Sequence, residues 1–383
     1  MISVLEPVKR RLYWVWSYFL ARMGAASSQV RLARFYAQGE NELIDYDLAF
    51  KWYLKAAQKG NVIAQCAVAD MYEQGLGVVR SAEEAIHWRV RAAEKGDPGA
   101  QMHVALAYTN GQVVAQSYSK AIKWFEEAAR QGSHSACFHL AEFYAQGKGV
   151  QQNYEIAAQW YRLASANHDS RATIELAEMY ARGCGVPCNP AEASRLYLEA
   201  IDQGSKLAQF RLVKARAEGL VPVTPQEKVA AQYELAQMYL KGQSNPVNAT
   251  EAIQWLERAA EAGHADAHYQ LAHIHMTGQG TIQNYTLGIE WLTKAAALNH
   301  VDAQFDLAKM YVEGNGITAD LVEAYKWSNL AAVHGRQEAI EFRNKLLHSL
   351  TRDQITEALK RSVALFDRPL NNGKQMNFRI DEG

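Results

Sequence analysis

The sequence predicts an all-α array of stacked 36-residue helix-turn-helix units, without strands. Three observations carry that prediction. Trp16, Trp52, Trp88, Trp124 and Trp160 stand 36 residues apart, and Trp255, Trp291 and Trp327 resume the same step. A glycine column keeps the same spacing through Gly39, Gly75, Gly111, Gly147 and Gly183, and again through Gly242, Gly278 and Gly314. Seven residues before each tryptophan from Trp52 onward stands Asp, Ser or Asn: Asp45, Ser81, Ser117, Asn153, Asn248, Asn284 and Asp320, with Asn189 in step. A scarce residue at a fixed interval marks copies of one supersecondary unit, each needing its neighbours to bury its apolar face.

The elements follow in chain order. Lys9, Arg10 and Arg11 precede an apolar run over Leu12 to Ala21, an outline shared with secretory leaders. The run is too short to cross a bilayer as a helix. It also keeps the repeat register, since Trp16, Ala21 and Gly24 align with Trp52, Ala57 and Gly60. Residues 5–24 are therefore read as the second helix of an incomplete first unit, a cap on the array. The expected location is then the cytoplasm. If residues 1–24 act as a signal, the protein is periplasmic or secreted instead.

Residues 25–219 form the first expected block. In its second unit, Ala64, Val68, Ala69 and Tyr72 make one apolar stripe on a first helix. Gly75 ends that helix in the left-handed conformation. A second helix follows the cap residue Ser81 and carries Ala85, Trp88, Ala92 and Ala93. Two helices of about 13–15 residues form an αα-hairpin. The small column Ala69, Ala105, Ala141, Ala177, Ala236, Ala272 and Ala308 lets the paired helices approach closely, while tyrosine and tryptophan fill the gap between hairpins.

The register breaks once. Tyr239 follows Tyr180 by 59 residues instead of the 72 of two full steps, so one unit is short by 13. Ala208 to Gly219 still reads as a first helix, and another begins near Gln226, so the missing element is a second helix. Residues 220–226, with Pro222 and Pro225, form a phase break. Either a kink in the array or a deletion closed by ordinary packing accommodates it. Residues 227–335 make the second block and 336–366 a helical cap with Thr351 as an N-cap. Residues 367–383 have no periodicity and read as a flexible tail.

The chain has 383 residues, 49% of them hydrophobic and 21% charged. Forty basic residues oppose 41 acidic ones, for a formal net charge of −1, which leaves no electrostatic footprint for nucleic acid or an anionic membrane. Cys184 and Cys188 have a spacing open to a local disulfide or half a metal site; without a second ligand pair they read as two loop thiols. His264 and His268 have an i, i+4 spacing able to hold a metal, but His275 falls in the core tyrosine column and His273 on an exposed face. No nucleotide-binding loop, nucleophile elbow or zinc-protease motif is present. No catalytic residue, metal or cofactor is assigned.

The pattern A-x-x-x-L-A-x-x-Y-x-x-G-x-G-V, a capping residue, and A-x-x-W-x-x-x-A-A-x-x-G closely resembles the Sel1-like repeat, a relative of the tetratricopeptide repeat. Residues 136–150 with Trp160 carry it best, and it extends over roughly residues 7–366. The resemblance implies a right-handed α/α solenoid. It also implies a non-enzymatic scaffold or adaptor, of the kind used in bacterial signalling, secretion, envelope assembly or host interaction and in eukaryotic degradation complexes. By analogy with tetratricopeptide arrays, the first helices line the concave surface.

Two first-helix columns then become candidates for binding a peptide or protein. One is apolar and turns aromatic along the chain, giving Phe138, Tyr233, Tyr269 and Phe305. The other varies in charge from unit to unit, giving Arg34, Asp70, Glu142, Glu178, Gln237, His273 and Lys309. Variable side chains on a uniform frame suit recognition of an extended partner. An envelope protein supporting polysaccharide or peptidoglycan assembly is the alternative reading. The sequence does not fix the oligomeric state.

Overall fold

A computed structural model describes residues 18–39, 44–242 and 247–366. Of the predicted N-terminal cap, 5–24, only 18–24 are described; the predicted cap 336–366 is described throughout, and the tail 367–383 lies outside the described residues. The described residues are helices joined by short loops, with no strand among them. The chain divides into two compact units, Met1–Gln203 and Gly204–Gly383.

The first unit is a run of hairpins. Ala26–Gln38 pairs with Tyr46–Gln58, Val62–Gln74 with Ala82–Glu94, and Pro98–Asn110 with Tyr118–Arg130. His134–Gln146 then pairs with Tyr154–Ser165, and Ser170–Arg182 with Pro190–Asp202. The second helices Tyr46–Gln58, Ala82–Glu94, Tyr118–Arg130 and Tyr154–Ser165 also pack on the next first helix. The predicted Asp/Ser/Asn column caps every second helix: Asp45, for example, accepts from the Leu48 N–H at 2.8 Å. Glycines end the first helices with φ between 66° and 77°. Second helices are followed by another positive-φ residue, which is glycine except at His168 (61°) and Asn299 (63°).

Hydrogen bonds stitch neighbouring hairpins through a column that sequence reading passed over. Gln29, Gln65 and Gln101 are buried, and each side-chain amide donates to the carbonyl eight residues earlier, on Ala21, Ala57 and Ala93. These carbonyls lie in the last turn before a glycine, where each also accepts from the glycine N–H three residues on and has a lone pair left for the glutamine. Thr173 meets Ser165 in the same place at 2.8 Å. Ala21, in the segment predicted to cap the array, is buried and accepts as its counterparts do.

In the second unit, Lys206–Glu218 packs directly on the 17-residue helix Pro225–Lys241. Thr224 and Glu227 form a reciprocal capping box and Pro225 is the first helical residue, where its missing N–H costs nothing. Pro225 therefore opens a helix instead of lying within the break. Gln232 donates to Ala217 O at 3.4 Å. Towards its successor, Lys206–Glu218 thus occupies the position of the missing second helix, because the glutamine column still requires a helix-end carbonyl. The hairpins Ala249–Glu261 with Pro225–Lys241, Ala265–Thr277 with Tyr285–Ala297, and Val301–Glu313 with Leu321–Val333 follow. Gln337–Leu346 and Arg352–Phe366 cover the last of them, with Gln354 N–H donating to Thr351 Oγ1 at 3.3 Å.

The core is finer-grained than the tryptophan register suggests. Trp88, Trp255 and Trp327 are buried, but Trp52, Trp124, Trp160 and Trp291 are half-buried. Except at Trp88, where Arg89 is equally buried, the residue after each described tryptophan lies deeper. Phe125 and Tyr197 have no exposed surface in that column, and Tyr161 and Leu256 are buried beside them. The indole surface that the hairpins leave uncovered takes a cation over its face. Lys55, Arg91, Arg258 and Lys294 lie 4.3–4.8 Å over Trp52, Trp88, Trp255 and Trp291.

Candidate functional site

The first-helix columns are built differently in the two units. In the first, the charge-variable column is engaged with the residue that follows the tryptophan position, 19 residues on. Asp70 pairs with Arg89, which is buried and also lies 3.5 Å from Glu73. Tyr197 donates to Glu178 Oε2 at 2.7 Å, and Arg34 hydrogen-bonds the Tyr53 side chain. Glu142 lies 3.0 Å from His139 Nδ1 and raises the pKa of buried Tyr161, which desolvation already pushes up. Phe138 is buried, with Arg171 4.3 Å over its ring. Variation in this column is thus matched within each hairpin. That coupling was open to detection in the sequence, as Asp70 with Arg89 against Glu178 with Tyr197, but only with the hairpin offset in hand.

One consequence is measurable. Asp70→Ala leaves Arg89 buried beside Glu73 alone, whereas Arg89→Phe installs the ring that Phe125 supplies one unit later. The first is expected to destabilise by about 1–3 kcal/mol and the second to be near neutral, because a lone buried charge is worse than an apolar replacement. Equal losses in urea denaturation would contradict this ordering.

In the second unit the columns interlock along the helices. Tyr233 stacks on His264 with ring centres 4.5 Å apart, and Tyr269 on His300 at 4.3 Å. Phe305 lies under Arg336 at 4.6 Å and Lys309 at 4.9 Å. Each overlying residue except Lys309 is the N-cap of the following first helix. His264 Nδ1 accepts from Ala267 N–H at 3.3 Å and His300 Nδ1 from Ala303 N–H at 3.2 Å. His300 Nε2 lies 3.1 Å from Asp266 Oδ1, and Tyr269 OH donates to Asp306 Oδ2 at 2.9 Å. Lys309 pairs with the same carboxylate at 2.7 Å. Gln237 donates to Gln270, and exposed His273 meets the Tyr269 ring edge-on at 4.7 Å.

His264 is therefore a helix cap. His268 is buried against Trp291 with Nδ1 3.0 Å from His264 O, so this pair is committed to the frame. Among the described residues no group of three His, Cys, Asp or Glu is placed to hold a metal ion. Burial pushes the Cys66 thiol up to about 11 and raises Cys137 as well, so neither is a thiolate near neutrality. Cys184 and Cys188 are free thiols.

A cap that accepts through Nδ1 must be unprotonated there. Burial holds His264 below its ordinary value, opposed by Asp266, with Tyr233 stacked on its face. Burial likewise lowers His268, opposed by its hydrogen bond to the His264 backbone and assisted by the charges of Lys294 and the His264 ring. For groups lowered on folding, stability is full above the unfolded value of about 6.5 and is lost as pH falls towards the folded one. Thermal melting should therefore drop between about pH 7.5 and about pH 5. His264→Asn, which keeps a cap, should reduce that drop; an unaltered pH profile would rule out the cap as its source.

A model of the Sel1 repeat matches residues 26–61, 62–97, 98–133, 134–169, 170–205, 229–264, 265–300 and 301–335. The chain belongs to the Sel1 repeat family. The unmatched interval of this Sel1 repeat protein, between 205 and 229, contains Lys206–Glu218 and the loop after it. Solved structures similar to it include a protective antigen of uropathogenic Escherichia coli strains with an SLR fold. That protein is 26% identical, with 93% of this chain and 94% of that one covered and a TM-score of 0.48. A Sel1 repeat protein from Oxalobacter formigenes is also 26% identical, with 87% and 90% covered and a TM-score of 0.44. Yeast Tom70 is 14% identical, with 82% and 61% covered and a TM-score of 0.31. No match was found among curated proteins. Sel1 repeats build a solenoid of the tetratricopeptide type, a fold commonly used for protein–protein interaction, and such families are typically non-catalytic scaffolds. Among the described residues no helix is long and apolar enough to cross a membrane.

Proposed function

We propose that this Sel1 repeat protein is a non-enzymatic scaffold that holds a peptide or protein partner along its concave first-helix face, and that it works in the cytoplasm. The observation that carries this reading is the ladder of Tyr233, Tyr269 and Phe305 over a uniform frame. Rings fixed by stacking lose little freedom on binding, and polar side chains flank them. His273 and Lys309 are suited to a test because they reach solvent and cap no helix. His273→Glu with Lys309→Glu should abolish capture of proteins that the wild type retains, while shifting stability by less than about 1 kcal/mol. Undiminished capture with an unaltered melting curve would remove this face from consideration.

A further inference from the structure

The groove between consecutive second helices takes two of the chain's own cations at the first two junctions and lacks both at the third. At the first, Lys59 Nζ donates to Gly24 O at 2.6 Å and Lys55 lies 4.6 Å over Trp52. At the second, Lys95 Nζ donates to Gly60 O at 2.9 Å and Arg91 lies 4.8 Å over Trp88. Each pair of contacts satisfies a carbonyl at the negative end of a helix and the electron-rich face of an indole.

At the third junction, Gln131 and Glu127 hold those two positions. Gln131 Nε2 turns inward to Gln101 Oε1 at 2.8 Å, and Glu127 accepts from Arg130 at 2.5 Å. The space that a lysine ammonium fills beside Gly24 and Gly60 is open beside Gly96, with no atom within 4 Å of a Cβ placed there. A cavity of about 690 Å³ lies in this groove, where Gly96, Trp124 and exposed Glu94 meet, and one of about 490 Å³ lies at the first junction beside Lys55 and Lys59. Of its three cations, Lys120 lies 5.1 Å over the Tyr108 ring, Arg130 is held by Glu126 and Glu127, and Lys123 is exposed at the rim.

We infer that this groove receives a lysine side chain of a protein partner, with its ammonium on Gly96 O and its stem along Trp124. One unit earlier Lys95 makes the carbonyl contact and the Arg91 guanidinium covers the indole, both as side chains presented by a backbone. The occupant is accordingly a lysine on a polypeptide and not a free amine. The inference concerns the second helices and does not depend on the first-helix reading above.

The test is a titration of the full chain with Nα-acetyl-lysine methylamide, n-butylamine and Nα-acetyl-glutamate methylamide. The readout is the indole N–H signal of Trp124, assigned by its absence in Trp124→Phe. The lysine derivative should shift this signal and bind more tightly than n-butylamine. Glu127→Lys with Gln131→Lys restores the pattern of Lys55 and Lys59 at the first junction and should weaken binding by at least about tenfold with an unaltered melting curve. Glu94→Gln, at an exposed position, should weaken it several-fold and serves if the double variant does not fold. No shift, a shift by the glutamate derivative, or binding that survives these changes would overturn the site. Equal binding of n-butylamine would overturn the assignment to a partner's lysine.

Discussion

Trp255→Ala is expected to remove about 3–5 kcal/mol, the usual cost of truncating a buried tryptophan. Trp255 is only 5% exposed and shares a cluster with Leu235, Leu256, Ala259 and Leu271. Arg258 covers its remaining surface at 4.3 Å. The surrounding alanines are too small to close over the lost volume, so most of the cavity should persist. Trp124→Ala makes the comparison, because Trp124 is half-buried and should cost clearly less. In a repeat array stability is a sum of unit and interface contributions. Hydrogen exchange should therefore accelerate first near residues 231–271, while helices in the first unit keep their protection. Uniform loss of protection along the chain, or equal costs for the two tryptophans, would contradict this account.

The frame was legible in the sequence because its columns answer to local physics. The second-helix caps and the glycines ending first helices are set by backbone conformation, which recurs wherever the loop recurs. The glutamine column was missed because a buried amide reads as a surface residue until its carbonyl partner is known. The histidines are ambiguous for a related reason: two at i, i+4 suit a metal, but a ring nitrogen also serves as an N-cap, a role the sequence reading did not consider. The binding columns were chosen because they vary. In the first unit that variation is answered across the hairpin, as in Asp70 with Arg89 and Glu178 with Tyr197. Variability therefore separates frame from surface only after internal partners have been found.

Gly77→Ala should be the most damaging glycine replacement in the first unit, at about 2–5 kcal/mol from a left-handed backbone and an overpacked contact together. The second glycine of this G-x-G loop has φ of 65°, and an added Cβ would stand 2.1 Å from Tyr46 O and 2.3 Å from Tyr46 C. Tyr46 opens the second helix of the preceding hairpin, so the obstruction is backbone and cannot rotate away. Gly185 meets Tyr154 in the same manner. Gly75 is the control: its φ is 72° but its nearest neighbour would be 3.4 Å away, leaving about 1–2 kcal/mol of conformational cost. The unit over 98–133 shows the alternative, since Val113 stands where the second glycine would and has no positive φ. Grafting residues 112–115 in place of 76–79 should therefore recover much of the loss in Gly77→Ala. If Gly77→Ala and Gly75→Ala cost the same in urea denaturation, close approach between hairpins is not what holds the glycine at this position.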